Sequence, residues 1–375
     1  MKTIQRYLKM MLVLVAMLMG IQAMAQDVKE AYAVYEQENY TLVFYYDSDR
    51  WYYRDNEHRQ TFDLNEGEEK PAWYDLNIVR MLFYDDFAEA RPTSTSYWIN
   101  PRVAEIMGTE FLNTSEVTTM YHMFFNNVAL RGDALDLSHF DTRKVKNMAG
   151  MFYGCTELTS IDVSKFNTSN VVSMQEMFGN CSSLKQLDLR NFDTSKVTSM
   201  VNMFVGCTAL ESVDVSKFNT GQLKSMQSMF NSCKALTSLD LSSFDTQNVT
   251  NMDHLFFNCN SLKTIYAGNK WDTSNVNQAF SSDLFSGCYS LVGGKGTAHE
   301  WYYDDQIGFA RIDGGTEAPG YFTAAPQTSI STSINGLKDS VKGQRDGWYT
   351  INGQKIGGKP TKKGVYIHNG KTVVR

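Results

Sequence analysis

Apolar residues recur along most of this chain with a period of 26 residues. The segment Met-Phe-x-x-Cys occupies 151–155, 177–181, 203–207 and 229–233, and Leu-Phe-x-x-Cys follows at 255–259 and 284–288. A fixed period of about 20 to 50 residues is typical of repeat proteins, in which a unit buries its apolar face only by stacking on its neighbours. The pattern therefore predicts a stack of repeats that functions through a surface rather than a pocket.

The unit that begins at Leu184 illustrates the elements expected within one repeat. Residues 187–189 alternate apolar, polar and apolar, as in a short strand with one buried face. Apolar residues then recur at steps of three and four across 197–207, which indicates an amphipathic helix capped by Thr194 or Ser195. Stacked copies predict an α/β fold of the leucine-rich-repeat type, a solenoid with a parallel β-sheet on one face and short helices on the other.

The rest of the chain differs from the repeats in composition, so we divide the sequence into six segments. The basic, apolar and small-residue order of the first 25 residues is that of a signal peptide. The last segment holds two Asn-Gly turn signals between short apolar runs. The segments are a signal peptide (1–25), a strand-containing N-terminal capping domain (26–108), a seven-unit solenoid (109–295), its C-terminal flank (296–323), a linker (324–345) and a short C-terminal β segment (346–375).

Charge and hydropathy restrict the location and the partners. The chain of 375 residues has a net charge of −6 and a pI near 5.6, which argues against nucleic acid as a partner. No apolar run approaches the ~20 residues that cross a bilayer, so we expect no membrane-spanning segment. Together with the signal peptide, these features predict a protein that is secreted or held at the cell surface.

Two residue types mark the expected core. Six cysteines share one repeat position, and eleven of the 19 methionines occupy two others, at helical spacing on the apolar stripe. Equivalent side chains of stacked repeats point in parallel, whereas a disulfide needs converging Cβ vectors, so we expect free buried thiols. Zinc is disfavoured because its ligands must converge on one point. Whether every thiol is reduced stays open.

A row of aspartates holds the outward strand position of five successive repeats, from Asp136 to Asp240. Neighbouring carboxylates repel unless cations or amides compensate them, and we favour protein cations such as Lys165, Arg190 and Lys217 over calcium. A second row of Asp and Asn precedes a Thr in each unit and is expected to form Asx-turns. The candidate binding face comprises Asp136, Asp162, Lys185, Asp188, Glu211, Asp214, Asp240 and Tyr266.

No catalytic constellation is evident in the sequence. The six histidines occupy no common repeat position, and the many Ser and Thr residues lie where caps are expected. We therefore predict that the protein is not an enzyme and needs no cofactor.

The segments F-D-T-S-K-V-T-S-M-V-N-M-F-V-G-C-T-A-L at 192–210 and F-D-T-Q-N-V-T-N-M-D-H-L-F-F-N-C-N-S-L at 244–262 resemble the BspA-like leucine-rich-repeat surface proteins of Bacteroidetes, firmicutes and mycoplasmas. The resemblance covers about residues 98–322. It implies an exported, adhesin-like protein, since some members bind host matrix proteins such as fibronectin or fibrinogen, and it brings no catalytic residues. Residues 346–375 are similar to the short C-terminal segments of exported Bacteroidetes proteins, some of which direct type IX secretion and surface attachment.

These observations favour a non-enzymatic adhesin or scaffold that binds host matrix or other surface proteins. The outward strand positions are polar, with Tyr266 as their one ring, which favours a protein contact over a glycan platform. The alternative is a carbohydrate-binding surface protein that uses the aromatic runs of the N-terminal cap at 41–46 and 51–53. The partner, the face that binds it and the oligomeric state stay open.

Overall fold

The computed structural model describes residues 28–325, apart from Asp55, 133–134 and 304–306, together with four short strands between 348 and 374. The predicted signal peptide and most of the predicted linker lie outside the described residues. The chain divides into two compact units, Met1–Ala325 and Pro326–Arg375. Within the described residues, no helix is long and apolar enough to cross a membrane.

A five-stranded mixed sheet forms the N-terminal part of the first unit. Its strands are β1 (Glu30–Glu36), β2 (Thr41–Asp47), β3 (Arg59–Asp63), β4 (Arg80–Phe83) and β5 (Glu105–Met107), in the order β3-β1-β2-β4-β5. Strand β1 pairs antiparallel with β2 and β3, whereas β4 pairs parallel with β2 and β5. A short helix, α1 (Arg50–Arg54), joins β2 to β3. Alternation along β2 turns Leu42 and Phe44 inward, where Phe44 packs on Trp73 and Trp98.

The repeats form shorter sheets than the sequence predicts. Strands β6 (Gln186–Asp188) and β7 (Ser212–Asp214) make one parallel pair, and β8 (Ser238–Leu241), β9 (Thr264–Ala267) and β10 (Phe322–Ala324) make a parallel three-stranded sheet. The expectation of one continuous seven-stranded sheet is therefore wrong. Each strand is only three or four residues long, so strand pairing alone does not join the repeats.

A second row of parallel pairing runs through successive repeats without a break. Single-residue bridges link Ser94, Thr119, Asn147, Ser173, Ser199, Ser225 and Asn251 in turn. The row starts inside the segment predicted as the N-terminal cap, because Ser94 pairs with Thr119 in the same way as the later rungs. The N-terminal sheet and the repeats also share one hydrophobic core.

Among the described residues of the repeats, no α-helix forms where the sequence predicts one. Turns occupy that stretch instead, with a 3-10 turn at Gln278–Phe280 in the last unit. The amide of Phe178 donates a hydrogen bond to the carbonyl oxygen of Met203 in the next repeat (3.0 Å). The amide of Met177 donates to the carbonyl oxygen of Met174, three residues earlier (3.3 Å), which forms a turn. Glu176 and Asn180, four residues apart, have positive φ of 58° and 57°. An α-helix needs negative φ throughout and its amides for its own i−4 carbonyls, so this segment cannot be helical. The molecule is mostly sheet and turn, and the α/β assignment is corrected accordingly.

The repeat positions that the sequence predicts to be buried are nevertheless buried. Both methionine rows and the six cysteines lie in the core. A ladder of buried phenylalanines crosses the stack with ring centroids 5.2 to 6.1 Å apart and planes within 16° of parallel. Its members are Phe124, Phe152, Phe178, Phe204, Phe230, Phe256 and Phe285. Spacings of this size leave no room for water between repeats, so the rings act as one continuous core.

The second unit holds an antiparallel four-stranded sheet. Its strands are β11 (Trp348–Thr350), β12 (Lys355–Ile356), β13 (Val365–His368) and β14 (Lys371–Val374), in the order β12-β11-β13-β14. Strands β11 and β12 flank Asn352-Gly353, and β13 and β14 flank Asn369-Gly370, the two Asn-Gly pairs of the sequence.

Candidate binding face

The strand side of the repeats exposes the residues proposed from the sequence, and we call this surface the strand face. Seven of the eight candidates are exposed, and Tyr266 is half-buried. Strand pairing aligns Asp188 with Asp214, and Asp240 with Tyr266, on adjacent strands. The apolar residues between them point inward. The face is therefore a set of parallel rows of polar side chains supported by a rigid core.

Each aspartate of the strand face closes a local turn. The Oδ1 atom accepts the amide hydrogen two residues further on, at 2.8 to 3.1 Å, in all five members of the row: Asp136, Asp162, Asp188, Asp214 and Asp240. The second row of Asp and Asn makes the same hydrogen bond, as the sequence predicts. Both rows are Asx-turns, which need only an acceptor oxygen. One oxygen of each outward carboxylate is thus engaged in shaping the turn.

Local donors also stabilise the charge of these carboxylates. The guanidinium of Arg190 donates two hydrogen bonds to Asp188, with Nη2 2.6 Å from Oδ2 and Nε 2.9 Å from Oδ1. These hydrogen bonds lower the pKa of Asp188 to about 2. Hydrogen bonds from Ser138 lower the pKa of Asp136, and those from Ser164, with the more distant charge of Lys165, lower that of Asp162. Across the described residues, no group of three or more His, Cys, Asp or Glu is placed to hold a metal ion.

The cysteines form a hydrogen-bonded ladder beneath the surface. Every thiol donates to the carbonyl oxygen of the ladder phenylalanine in the preceding repeat, with Sγ to O distances of 3.0 to 3.2 Å. None of the six forms a disulfide, and all are buried. Burial raises the pKa of Cys155 and of Cys207 to about 12, so these thiols stay protonated at neutral pH. Their position is structural, since neither solvent nor a surface ligand reaches them.

A buried threonine clamps each repeat to the next, a role that the sequence reading missed. Thr194 donates its hydroxyl hydrogen to the carbonyl oxygen of Asn219 (2.9 Å) and accepts the amide hydrogen of the same residue (2.8 Å). The same pair of bonds recurs at Thr114, Thr142, Thr168, Thr220 and Thr246. The constant Asp-Thr or Asn-Thr dipeptide was the available signal, but we interpreted this Thr as a helix cap.

The aromatic residues of the N-terminal sheet fall into two groups. Tyr84, Tyr45 and Tyr53 form a column on the outer face, with centroids 5.1 and 5.2 Å apart and planes 20° and 24° from parallel. Tyr45 stacks on both Tyr84 and Tyr53, whereas Tyr84, at the end of the column, is exposed. Trp51 and Tyr52 on α1 lie outside the column and are exposed.

The repeats match a family that is described as "Mycoplasma protein of unknown function, DUF285", over residues 102–187 and 183–293, which together make just over half of the chain. Among solved structures, the chain is similar to a leucine-rich repeat protein from Bacteroides ovatus ATCC 8483, with 15% identity, a TM-score of 0.33, and coverage of 62% of this chain and 70% of that one. No curated protein matches the sequence.

Proposed function

We propose that this chain, which belongs to the family described as Mycoplasma protein of unknown function, DUF285, is a non-enzymatic repeat protein that binds other proteins through its strand face. In this proposal the stacked repeats make a solenoid, exported to the cell surface as an adhesin or scaffold. The resemblance of the repeats to BspA-like surface proteins supports this location and role. Host matrix proteins are the first partners to consider.

The observation behind the proposal is a contrast within each repeat of the strand face. Buried positions hold nearly the same residue in every unit, whereas the residues three positions before Asp162, Asp188, Asp214, Asp240 and Tyr266 are exposed and differ. They are Thr159, Lys185, Glu211, Thr237 and Lys263. Stacking requires side chains of similar shape at the buried positions, but it sets no requirement on the charge of the exposed residues. The exposed rows are therefore the part of the repeat that is free to match a partner.

The same face provides charge without an aromatic anchor. Lys185 and Glu211 lie in neighbouring repeats, with the Lys185 carbonyl accepting the Glu211 amide at 2.9 Å, so opposite charges stand side by side. Alternating charge of this kind selects among partners and orients them, since a like charge opposite either residue is unfavourable. A polar interface that spreads over several repeats fits such a surface.

Charge reversal on this face tests the proposal directly. The double variant Lys185→Glu with Glu211→Lys keeps the net charge but inverts the pattern, and Lys224→Glu on the bridge side of the repeats serves as the control. We expect binding to immobilised fibronectin or fibrinogen, measured by surface plasmon resonance, to weaken at least about tenfold in the double variant and to stay unchanged in the control. Equal binding by wild type and double variant would exclude this surface as the contact.

A further inference from the structure

Strand β3 forms one edge of the five-stranded N-terminal sheet. It pairs with β1 on one side, and among the described residues no strand pairs with its other side. The amide of Gln37 donates to the carbonyl oxygen of His58 (3.1 Å), which continues the antiparallel pairing of β1 and β3. Hydrogen-bonded and non-hydrogen-bonded pairs alternate along antiparallel strands, so the backbone groups of Arg59, Thr61 and Asp63 point away from β1.

Most of these outward backbone groups are available to a further strand. The amide of Arg59 is engaged, because it donates to the carbonyl oxygen of Asn56 (3.1 Å). The amide and carbonyl of Thr61, the amide of Asp63 and the carbonyl of Arg59 meet no backbone partner in the described part of the chain. Edge strands are commonly protected by proline or lysine, and β3 contains neither. The sheet can therefore be extended at this edge.

The sequence of β3, Arg-Gln-Thr-Phe-Asp, is complementary in charge to a second copy of itself. Antiparallel pairing of two copies about Thr61 sets Arg59 of each copy opposite Asp63 of the other, and opposite charges at facing positions stabilise such a pair. Both side chains lie on the side of the sheet that carries α1, since the Arg59 guanidinium lies 5.2 Å from the centre of the Tyr53 ring and Asp63 pairs with Arg50. This symmetry favours a second copy over an unrelated strand.

We propose that β3 is a self-association edge, through which two copies of this chain join their N-terminal sheets about a twofold axis. The two Thr61 residues exchange two backbone hydrogen bonds, and each Asp63 amide donates to the Arg59 carbonyl of the other copy, which adds two more. Each Arg59 then lies between Glu36 of its own chain, 3.2 Å away, and Asp63 of the other copy. The dimer carries two strand faces, and its formation does not depend on what those faces bind.

Sedimentation equilibrium of the full chain from about 5 to about 500 µM tests the proposal, since a pair of five-residue strands buries little area and should associate weakly. We expect the mass to rise from monomer toward dimer. Arg59→Asp and Asp63→Arg each set like charges opposite one another in a homodimer and should weaken association at least about tenfold. An equimolar mixture of the two variants should restore dimers, because every facing pair then has opposite charges.

Arg102→Asp is the matched control, since it makes the same charge change at an exposed residue before β5, the opposite edge strand. It should leave association unchanged. Thr61→Pro tests the backbone contact without changing charge, because it removes an outward amide that β1 does not use, and it should abolish the dimer. Thr61→Val keeps the amide and should retain the dimer. Circular dichroism melts verify that every variant is folded.

Three results would overturn the proposal. The first is a wild type that stays monomeric at every concentration. The second is association that survives in Thr61→Pro and in both charge variants, which would place the contact on another surface. The third is a mixture of Arg59→Asp and Asp63→Arg that forms no more dimer than either variant alone, because antiparallel pairing about Thr61 requires this recovery.

Discussion

The repeats bury the rings of their ladder phenylalanines, whereas several aromatic rings outside the regular units are exposed. Each ladder phenylalanine of the repeats is buried against its equivalents, and among the described residues from 129 to 279 Val172 alone is an exposed large hydrophobic side chain. Exposed rings lie outside these regular units: Trp51, Tyr52 and Tyr84 before them, Phe280 and Tyr289 in the irregular last unit, and Trp301 and Tyr302 after it.

This difference follows from the position of each ring relative to the stack. A repeat residue meets a copy of itself on both sides, so an exposed ring in one unit would disturb a contact that the whole stack shares. A flanking residue occurs in one environment only and is free to remain exposed. The surface of the regular units is therefore polar, and the exposed aromatic rings lie outside these units.

The largest expected effect comes from removing one ring of the buried ladder. Phe204→Ala should lower the free energy of unfolding by about 3–5 kcal/mol, because the cavity lies between two repeats that cannot close over it. Phe280→Ala, at an exposed ring of the irregular last unit, should have little effect. Thermal melts followed by circular dichroism provide the measurement. Equal losses of stability in both variants would show that a buried ladder ring contributes no more to stability than an exposed ring does.

The threonine clamp should give the next largest effect. Thr194→Val leaves the amide and the carbonyl of Asn219 without their partner and should cost about 1–3 kcal/mol. Thr198→Val, at an exposed position with a single long hydrogen bond of 3.4 Å to the Val172 carbonyl, is the control. Urea denaturation of both variants measures the difference. A loss of stability no larger in Thr194→Val than in Thr198→Val would show that the clamp does not help to join the repeats.

The cysteine ladder predicts a loss of stability at high pH. Burial raises the pKa of Cys207 from 9.0 to about 12, so the folded state holds this proton more tightly than the unfolded state does. The contribution of this protonated thiol to the free energy of unfolding is complete below pH 9 and falls by roughly 1.4 kcal/mol for each pH unit above it. Urea denaturation at pH 8, 9 and 10 should show a shallower fall in Cys207→Ala than in the wild type. Parallel pH curves for the two proteins would contradict the buried position of this thiol.

The smallest effect is expected on the strand face, where the charges are exposed. The pKa of Asp188 is lowered to about 2, so its ion pair with Arg190 should stabilise the fold above pH 3.8 and lose this effect as the pH falls toward 2. Screening by solvent keeps the contribution below about 1 kcal/mol. Asp188→Asn should remove this part of the acid dependence, whereas Asp240→Asn, which keeps the same type of turn, should change it less. A large loss at Asp188 would show that the face is structural rather than free for binding.

Much of the buried architecture could be predicted from the chain itself. The 26-residue period and the apolar character of the repeated residues together indicate which residues face the core, and the methionine, phenylalanine and cysteine rows are buried accordingly. The Asx-turns of the second row also follow from local chemistry, since Asp and Asn bond to amides two residues on. The candidate face was identified in the same way, as the polar positions that alternate with buried leucines.

The backbone between these fixed positions was decided only by tertiary structure. Steps of three and four residues suit a helix, but here they arise from turns with positive φ, because alternate amides such as that of Phe178 donate to the next repeat rather than along their own segment. The thiol hydrogen bonds and the threonine clamps depend likewise on which groups the stack brings together. A sequence specifies which side chains are apolar and how often they recur, whereas the partner of each amide, hydroxyl and ring is set by the neighbour that folding places beside it.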